Sequence, residues 1–280
     1  MTKGFRQKVY FLYRRSFSQL VRLQLILIKY LPRGRFILTD IGEKILGEKT
    51  YVTCGSDEFQ FNTPNWLTHR RAINLLTDEP STISWIDKFS KNTIFWDIGA
   101  NVGSYSIYAA VKKNCKVVAF EPSFLNLMVL QKNIELNRVM DKVTIFPVGL
   151  SDSIGIKTLY FSKENLRIGG AHNSLGVPRD QYGNPMFETY KTLVPAETLD
   201  SVLLRYVGLC PDYIKIDVDG LELEILQGAR QVLALVKEVS IEIMDQNQFY
   251  KSIDEVLVQA GLSRVTENGS DTRNVIYRRL

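Results

Sequence analysis

Cysteine, histidine and long apolar runs are all scarce in this chain. The 280 residues include 3 cysteines and 2 histidines. The cysteines, at positions 54, 115 and 210, are odd in number and follow no metal-binding or redox spacing. This pattern argues against a disulfide scaffold or a zinc site and favours a reducing compartment, so we expect a cytoplasmic protein.

Acidic residues are missing from the N-terminus, because none precedes Asp40. Nine of the 35 basic residues lie in that same stretch, which leaves 26 basic against 30 acidic residues in the remainder. The high isoelectric point therefore belongs to the N-terminus, and the body of the protein is mildly acidic. A basic groove for nucleic acid is not expected there.

The first 35 residues are predicted to form a basic amphipathic helix, with apolar residues at helical spacing over residues 5–31. Its most apolar part, residues 20–31, is interrupted by Arg22, Gln24 and Lys29 and is too short to span a bilayer. Such a helix has two uses: it lies on an anionic membrane, here the inner face, or it docks on its own protein or a second subunit. Docking is favoured, because internal burial of an apolar face is the commoner use.

The rest of the chain divides by pattern into two parts. Residues 36–92 are interpreted as accessory strands and helices, with 36–63 strand-like and irregular. From residue 93 short apolar strands alternate with helices: strands are expected near 94–98, 117–120, 143–148, 213–218, 239–244 and 274–279, and helices near 104–112, 125–137, 221–236 and 252–260. This alternation predicts an α/β fold with a doubly wound, mostly parallel sheet and helices on both faces.

A glycine loop follows the first of these strands, in the segment Asp97-Ile98-Gly99-Ala100-Asn101-Val102-Gly103. Gly99 permits a sharp turn and a close approach of a ligand to the backbone, and Gly103 permits close packing of the next helix. The dinucleotide fingerprint requires glycines at 99, 101 and 104, and the chain has Asn101 and Ser104 instead.

Glu121 ends the next strand, 22 residues after Gly99. This is close to the spacing at which an acid binds ribose hydroxyls in nucleotide-binding folds. Gly149 and Leu150 end the third strand, where a glycine and small polar neighbours can flank an adenine ring. Ligands of such sheets lie beyond the carboxyl ends of the strands, so these residues are expected to form one site.

These motifs resemble the FkbM-type family of class I methyltransferases, over about residues 94–262. The resemblance lies in the segment from Asp97 to Ser106, in Phe120-Glu121-Pro122 with Asn133 and Asn137, and in residues 214–222 with 226–229. It implies S-adenosylmethionine as cofactor, and methyl transfer to an oxygen of a sugar, glycolipid, polysaccharide or other small-molecule acceptor. It also implies that Asp97, Asn101, Tyr105 and Pro122 belong to the cofactor site with Gly99, Gly103, Glu121, Gly149 and Leu150. The family more often has Glu at the position of Asp219, which leaves a catalytic role for Asp219 without support.

Polar residues alternate with apolar ones along the fourth strand, where a central parallel strand is normally apolar on both faces. Asp217 is the candidate that orients or deprotonates the acceptor hydroxyl, with Lys215 tuning its charge and Glu222 and Glu242 nearby. Two structural interpretations stay open. Lys215 and Asp217 form an ion pair without catalytic use, and Asp219 with Glu222 forms a helix capping box.

His172 lies in residues 162–196, a glycine-rich segment expected to be a long loop. It is a second candidate for contact with the acceptor, against the simpler interpretation as part of a polar turn. No metal is predicted, because carboxylates alone do not specify one. Two other functions stay open: a nicotinamide-dependent oxidoreductase, which the failed glycine spacing disfavours, and a catalytically silent nucleotide-binding domain.

Overall fold

The computed structural model describes residues 17–163, 165–180, 182–187, 189–206, 208–243, 249–265 and 274–280. The chain divides into two compact units, Met1–Glu48 and Lys49–Leu280. The first sixteen residues of the predicted N-terminal helix lie outside the described residues.

The first unit is helical where it is described. Residues 17–29 form helix α1, and α2 spans Gly34–Leu46. The second helix corrects the expectation of a strand-like segment from residue 36. Ile37, Ile41 and Ile45 recur every four residues, which is a helical period that the strand interpretation overlooked. No helix in the described part of the chain combines the length and apolar character that a membrane crossing requires.

The second unit begins with a hairpin and two short helices. Strands β1 (Lys49–Cys54) and β2 (Asp57–Asn62) pair antiparallel, and helices α3 (Trp66–Ile73) and α4 (Pro80–Asp87) follow. Phe59, Phe61, Trp85 and Phe89 are buried and belong to the same apolar core as Phe95 of the central sheet. The hairpin and helices therefore pack onto that sheet.

A seven-stranded sheet forms the centre of the second unit. Its strands are β3 (Ile94–Ile98), β4 (Lys116–Phe120), β5 (Val143–Phe146), β10 (Tyr213–Ile216), β11 (Glu238–Glu242), β12 (Leu262–Val265) and β13 (Asn274–Arg279). Their order is β12-β13-β11-β10-β3-β4-β5. The five strands from β11 to β5 are parallel, and β13 lies antiparallel beside β11.

Helices cover both faces of this sheet. They are α5 (Ser104–Lys112), α6 (Phe124–Leu136), α7 (Leu199–Arg205), α8 (Glu222–Gln227), α9 (Arg230–Leu235) and α10 (Tyr250–Gln259). Successive residues of a strand enter opposite cores: Phe95 packs with α5 and α6, and Trp96 packs with α7 to α9. The predicted doubly wound α/β fold is confirmed.

The helix expected over residues 221–236 is two helices, α8 and α9, interrupted at Gly228 and Ala229. A Cβ at Gly228 would lie 2.5 Å from the carbonyl oxygen of Ser151, so the backbone passes too close to a neighbouring strand end for any side chain. This close approach overrides the continuous apolar pattern on which the prediction rested.

A second sheet lies between β5 and β10 in the chain. It has the order β6-β9-β7-β8, formed by β6 (Gly149–Leu150), β7 (Gly155–Ser162), β8 (Ser174–Leu175) and β9 (Thr189–Glu197). The expectation that residues 162–196 form one long loop is thus wrong at both ends. Residues 189–196 of strand β9 pair with β7. The buried residues of β9 are only Val194 and Ala196, which explains the weak alternation in the sequence.

Candidate active site

A cleft opens at the carboxyl edge of the central sheet, where the loops after β3, β4, β5 and β10 meet. It encloses about 760 Å³, open solvent at its mouth included. Of the residues predicted to bind the cofactor, those that line it are Gly99, Asn101, Glu121, Pro122, Gly149 and Leu150. We call this the cofactor cleft.

The backbone conformation at both ends of the loop after β3 favours glycine. Gly99 has φ +81°, and a Cβ there would lie 1.9 Å from the carbonyl oxygen of Asp217. Gly103 has φ +83°, and its Cβ would lie 2.3 Å from Cδ1 of Leu130. The backbone N–H groups of Gly99 and Ala100 both donate to the carbonyl of Phe120, which holds the loop against β4. The two predicted glycine roles, a tight turn and close packing, are both present.

Glu121 is buried at the floor of the cleft with 5% of its surface exposed. Its two carboxylate oxygens accept hydrogen bonds from the backbone N–H groups of Asn101 and Ser123, each at 2.8 Å. Burial raises the pKa of Glu121 to about 7, although these donors act in the opposite direction. The carboxylate therefore titrates near neutral pH while it holds the glycine loop.

Asp97 and Tyr105 lie behind the glycine loop and line a smaller adjoining pocket, together with Lys215, Glu79 and Asp217. Asp97 is 2% exposed and accepts a hydrogen bond of 2.5 Å from the Ser106 hydroxyl. Burial raises the pKa of Asp97, and burial followed by the nearby Glu79 carboxylate raises that of Tyr105. Their contact with a cofactor remains a prediction.

The segment 165–170 reaches the cleft wall at Gly170 and is fixed by side chains that the sequence did not single out. Asn65 Nδ2 donates to the Ile168 carbonyl at 3.0 Å, and Arg71 Nε donates to the Gly169 carbonyl at 3.0 Å. Asn126 accepts from the Gly169 N–H at 2.9 Å. Asn126 is buried within α6, where polar groups are normally hydrogen-bonded.

Two amide oxygens in the cleft wall lack a donor. Within the described part of the chain, Oδ1 of Asn101 and Oδ1 of Asn173 are buried and have no hydrogen-bond partner. The orientation of the Asn101 amide is fixed, because its Nδ2 donates to the Gly170 carbonyl at 2.9 Å. Buried acceptors are normally satisfied, so these two oxygens match a ligand that carries N–H or O–H groups.

Asp217 lies between the cofactor cleft and the smaller pocket and lines both. The ammonium group of Lys215, which is 1% exposed, lies 2.5 Å from its Oδ2 and 3.8 Å from a carboxylate oxygen of Glu79. Burial alone would raise the pKa of Asp217, but the Lys215 charge lowers it below its usual value. The ion pair that the alternation suggested is present, and it leaves Asp217 ionised and weakly basic.

Glu242 completes this cluster from β11 through a hydrogen bond with the Asp217 carboxylate. Burial, and then the Asp217 charge, raises the pKa of Glu242 to about 9. At neutral pH Glu242 is therefore protonated and is the donor in that hydrogen bond, as expected for two carboxyl groups that share a site. The sequence placed Glu242 near the crevice but gave no indication of its protonation.

His172 and Asp219 contact each other, and both have positive φ, 59° and 58°. The Asp219 carboxylate accepts from the His172 backbone N–H at 2.6 Å and lies 3.2 Å from its Nδ1. The predicted capping box is wrong: the residue that caps α8 is Leu221, without a side-chain bond. Asp219 instead lines the cofactor cleft, while the neighbours of His172, Ala171 and Asn173, form the wall beside it.

Glu222 is buried below the Asp219 loop and accepts the Gly220 backbone N–H at 3.0 Å. Burial raises its pKa to about 7. Glu222 does not line the cleft, whereas Leu221 and Ile225, before and after it in the chain, do. Of the predicted catalytic residues, Lys215, Asp217 and Glu242 thus form one cluster, and Glu222 and His172 lie outside it.

Comparison with known proteins gives a consistent result. The model of the methyltransferase FkbM domain matches residues 97–265. Methyltransferase sdnD of Sordaria araneosa is 30% identical, over 63% of this chain and 76% of the relative. Hexuronic acid methyltransferase AglP of Haloferax volcanii is 28% identical, over 69% and 74%.

Among solved structures, a methyltransferase FkbM from Methylobacillus flagellatus KT matches 68% of this chain and 44% of its own, with 18% identity and a TM-score of 0.45. The family model covers more than half of the chain, and its first matched residue is Asp97, where the glycine loop begins. The chain belongs to the FkbM methyltransferase family.

Proposed function

We propose that this methyltransferase uses S-adenosylmethionine and methylates a hydroxyl oxygen of a sugar, glycolipid or polysaccharide. The observation that carries the proposal is the cofactor cleft, in which Gly99, Glu121 and two unpaired amide oxygens meet at the carboxyl edge of the sheet. A relative named for hexuronic acid methylation supports the sugar acceptor.

The donor groups of S-adenosylmethionine fit what the cleft offers. Its ribose carries two hydroxyls, and a carboxylate in the position of Glu121 can accept hydrogen bonds from both. Its adenine amino group and its ammonium group are N–H donors, and the unpaired oxygens of Asn101 and Asn173 are acceptors. Leu150, Leu159 and Ile225 add apolar wall area for the adenine ring. The residues present therefore fit this cofactor.

The bound cofactor would supply a methyl group on a sulfonium sulfur, which would keep the electron pair of the carbon–sulfur bond when the methyl group is transferred to the acceptor oxygen. The chain's own task is to place an acceptor hydroxyl in line with that bond, and such positioning accounts for much of the rate. Asp217 lines the cleft as an ionised carboxylate and can accept the hydroxyl hydrogen. Lys215 and protonated Glu242 hold it in place.

The low basicity of Asp217 suits a late proton transfer. An alcohol oxygen becomes strongly acidic as the new carbon–oxygen bond forms, so even a weakly basic carboxylate receives its proton at that stage and then releases it to water. Asp217 thus orients the hydroxyl first and accepts the proton second. Its interaction with Lys215 keeps it ionised for both tasks.

Transfer of a labelled methyl group tests the proposal. The purified protein is incubated with S-adenosylmethionine labelled in its methyl group, and with glycans, RNA and protein from the native source in parallel. We expect label in the glycan fraction as an acid-stable methyl ether. Label confined to RNA or protein would contradict the acceptor class, and no transfer from S-adenosylmethionine to any fraction would contradict the cofactor.

A further inference from the structure

A second groove opens beside the cofactor cleft in the unit Lys49–Leu280. It encloses about 950 Å³, its open mouth included, and shares Leu175, Asp219 and Leu221 with the cleft wall. We call it the side groove. A ligand in the side groove would reach the cofactor cleft past Asp219, at the carboxyl end of β10, where an acceptor has to meet the methyl donor.

Charged side chains form part of the wall of the side groove, and among them acids outnumber bases. Carboxylates come from four residues and cationic groups from two: Asp152, Asp180, Asp219 and Glu224 against Lys157 and Arg179. The Lys157 ammonium already donates to the Ser151 hydroxyl at 2.6 Å and to the Asp152 carboxylate at 3.1 Å. The groove therefore presents an excess of hydrogen-bond acceptors and of negative charge.

Glu224 carries the most specific feature of the groove. Its Oε2 is buried and, among the residues that the structure describes, has no hydrogen-bond partner. Glu222, two residues earlier on the same helix, by contrast accepts the Gly220 N–H. A buried carboxylate oxygen without a donor is costly, and a ligand hydroxyl hydrogen removes that cost.

Aromatic side chains complete the wall. Tyr182 is 51% exposed and Phe249 is 37% exposed, and both line the groove. Apolar faces beside a few well-placed polar groups are usual in small-molecule sites, and they suit the C–H face of a pyranose ring. The wall thus combines acceptors for hydroxyl hydrogens with surfaces for a sugar ring.

We infer that the side groove binds the methyl acceptor, and that this acceptor is an uncharged polyhydroxylated sugar, with Glu224 accepting one of its hydroxyl hydrogens. The inference rests on the proposed function and narrows its substrate class. The acceptor thus differs from the acidic sugar for which the relative of Haloferax volcanii is named. A negatively charged sugar is disfavoured here, because a carboxylate entering the groove meets an excess of carboxylates in a partly desolvated space.

Two small glycosides that differ in one group test the inference. Methyl α-D-glucopyranoside and methyl α-D-glucopyranosiduronate are titrated into the full chain, with binding followed by saturation-transfer difference NMR. Each titration is made with and without S-adenosylhomocysteine. We expect the neutral glycoside to bind and the glucuronoside to bind at least about tenfold more weakly, the change produced by ~1.4 kcal/mol of charge repulsion.

The Glu224→Gln variant links this binding to the side groove. The variant should bind the glucopyranoside about tenfold more weakly, because a charge-assisted hydrogen bond becomes a neutral one. Glu255→Gln is the matched control, since Glu255 is exposed on α10 and is absent from the groove wall. It should leave glycoside binding unchanged. Calorimetry with S-adenosylhomocysteine should give equal affinities for both variants, which verifies that the fold and the cofactor cleft are intact.

Three results would overturn the inference: no binding of the neutral glycoside, tighter binding of the glucuronoside, or equal binding by Glu224→Gln and the unmodified chain. A chain that binds no S-adenosylhomocysteine contradicts the proposed function instead. Because the glycoside titrations are also made without that ligand, the two failures are distinguished.

Discussion

The raised pKa of Glu121 predicts that cofactor affinity depends on pH near neutrality. Glu121 is buried at the floor of the cleft, and its pKa in the free protein is about 7. Ribose hydroxyls that donate to Glu121 require its ionised form, so binding must first remove a proton below pH 7. Affinity should therefore fall as the pH drops through 7 and should level off above it.

The size of the effect follows from the ionised fraction. With a pKa of about 7, roughly one in eleven Glu121 side chains is ionised at pH 6 and about ten in eleven at pH 8. The affinity for S-adenosylhomocysteine should thus be about tenfold weaker at pH 6 than at pH 8, which is ~1.4 kcal/mol. Isothermal titration calorimetry at both pH values measures this, and proton release at pH 6, detected in buffers of different ionisation enthalpy, provides an independent check.

Two variants separate Glu121 from other titrating groups. Glu121→Gln should remove the pH dependence and weaken binding at pH 8 by about 1.5–3 kcal/mol, because charge-assisted hydrogen bonds are lost. Glu222→Gln is the matched control: Glu222 is also buried with a pKa of about 7, but it does not line the cleft. The Glu222→Gln variant should keep the pH dependence of the affinity. A flat affinity in the unmodified chain, or an unchanged slope in Glu121→Gln, would refute the reasoning.

Three further predictions concern catalysis, backbone and membrane contact. Asp217→Asn should lower turnover by about 10²–10⁴-fold with little change in cofactor affinity, measured by single-turnover methyl transfer, and normal turnover would exclude Asp217 as the group that receives the proton. Gly99→Ala should abolish cofactor binding or lower the melting temperature by at least several degrees, since its Cβ would meet the Asp217 carbonyl. Gly42→Ala is the control: its Cβ has nothing within 4 Å, so the melting temperature should change little in thermal unfolding. Residues 17–46 expose apolar side chains such as Leu27, at 59%, beside basic ones. If this segment lies on a membrane and does not dock on protein, the chain should sediment with anionic vesicles in a salt-sensitive way, at roughly 1 kcal/mol per basic residue. An absence of sedimentation with such vesicles would leave docking, on this protein or on a second subunit, as the use of this segment.

The residues at the floor of the cofactor cleft could be predicted from the sequence, because the carboxyl ends of parallel strands meet at one edge of the sheet. Gly99 and Glu121 each follow a short apolar strand, so their meeting required only the order of strands and helices. Polar alternation in β10 likewise indicated the Lys215–Asp217 pair. In both cases the sequence signal is local, and the fold brings the two residues together.

The attachment of the segment 165–170 beside the cleft had no local signal in the sequence. Arg71 of α3 and Asn126 of α6 fix the segment 165–170 through contacts between distant parts of the chain. Glu79, which lies 3.8 Å from Lys215, precedes an ordinary helix and is distinguished only by the tertiary fold. The β7–β9 pairing was missed for a related reason, since a strand with one weakly buried face shows little alternation.

The protonation of Glu242 could not be predicted from residue types either. Its pKa of about 9 arises from burial and from the Asp217 charge, and both depend on how β10 and β11 are paired. A sequence reports which carboxyls lie at strand ends. It does not report which of two neighbouring carboxyls carries the proton.

The central claim is that the cofactor cleft binds an adenosyl sulfonium ligand, and the most direct measurement is a calorimetric comparison of S-adenosylmethionine, S-adenosylhomocysteine and NAD on the same preparation. The account predicts binding of both adenosyl ligands at one site per chain and no heat from NAD. Mass spectrometry of the denatured protein, read for co-purified S-adenosylhomocysteine, identifies sites that are already filled. Tight NAD binding, with no response to either adenosyl ligand and none co-purified, would contradict it.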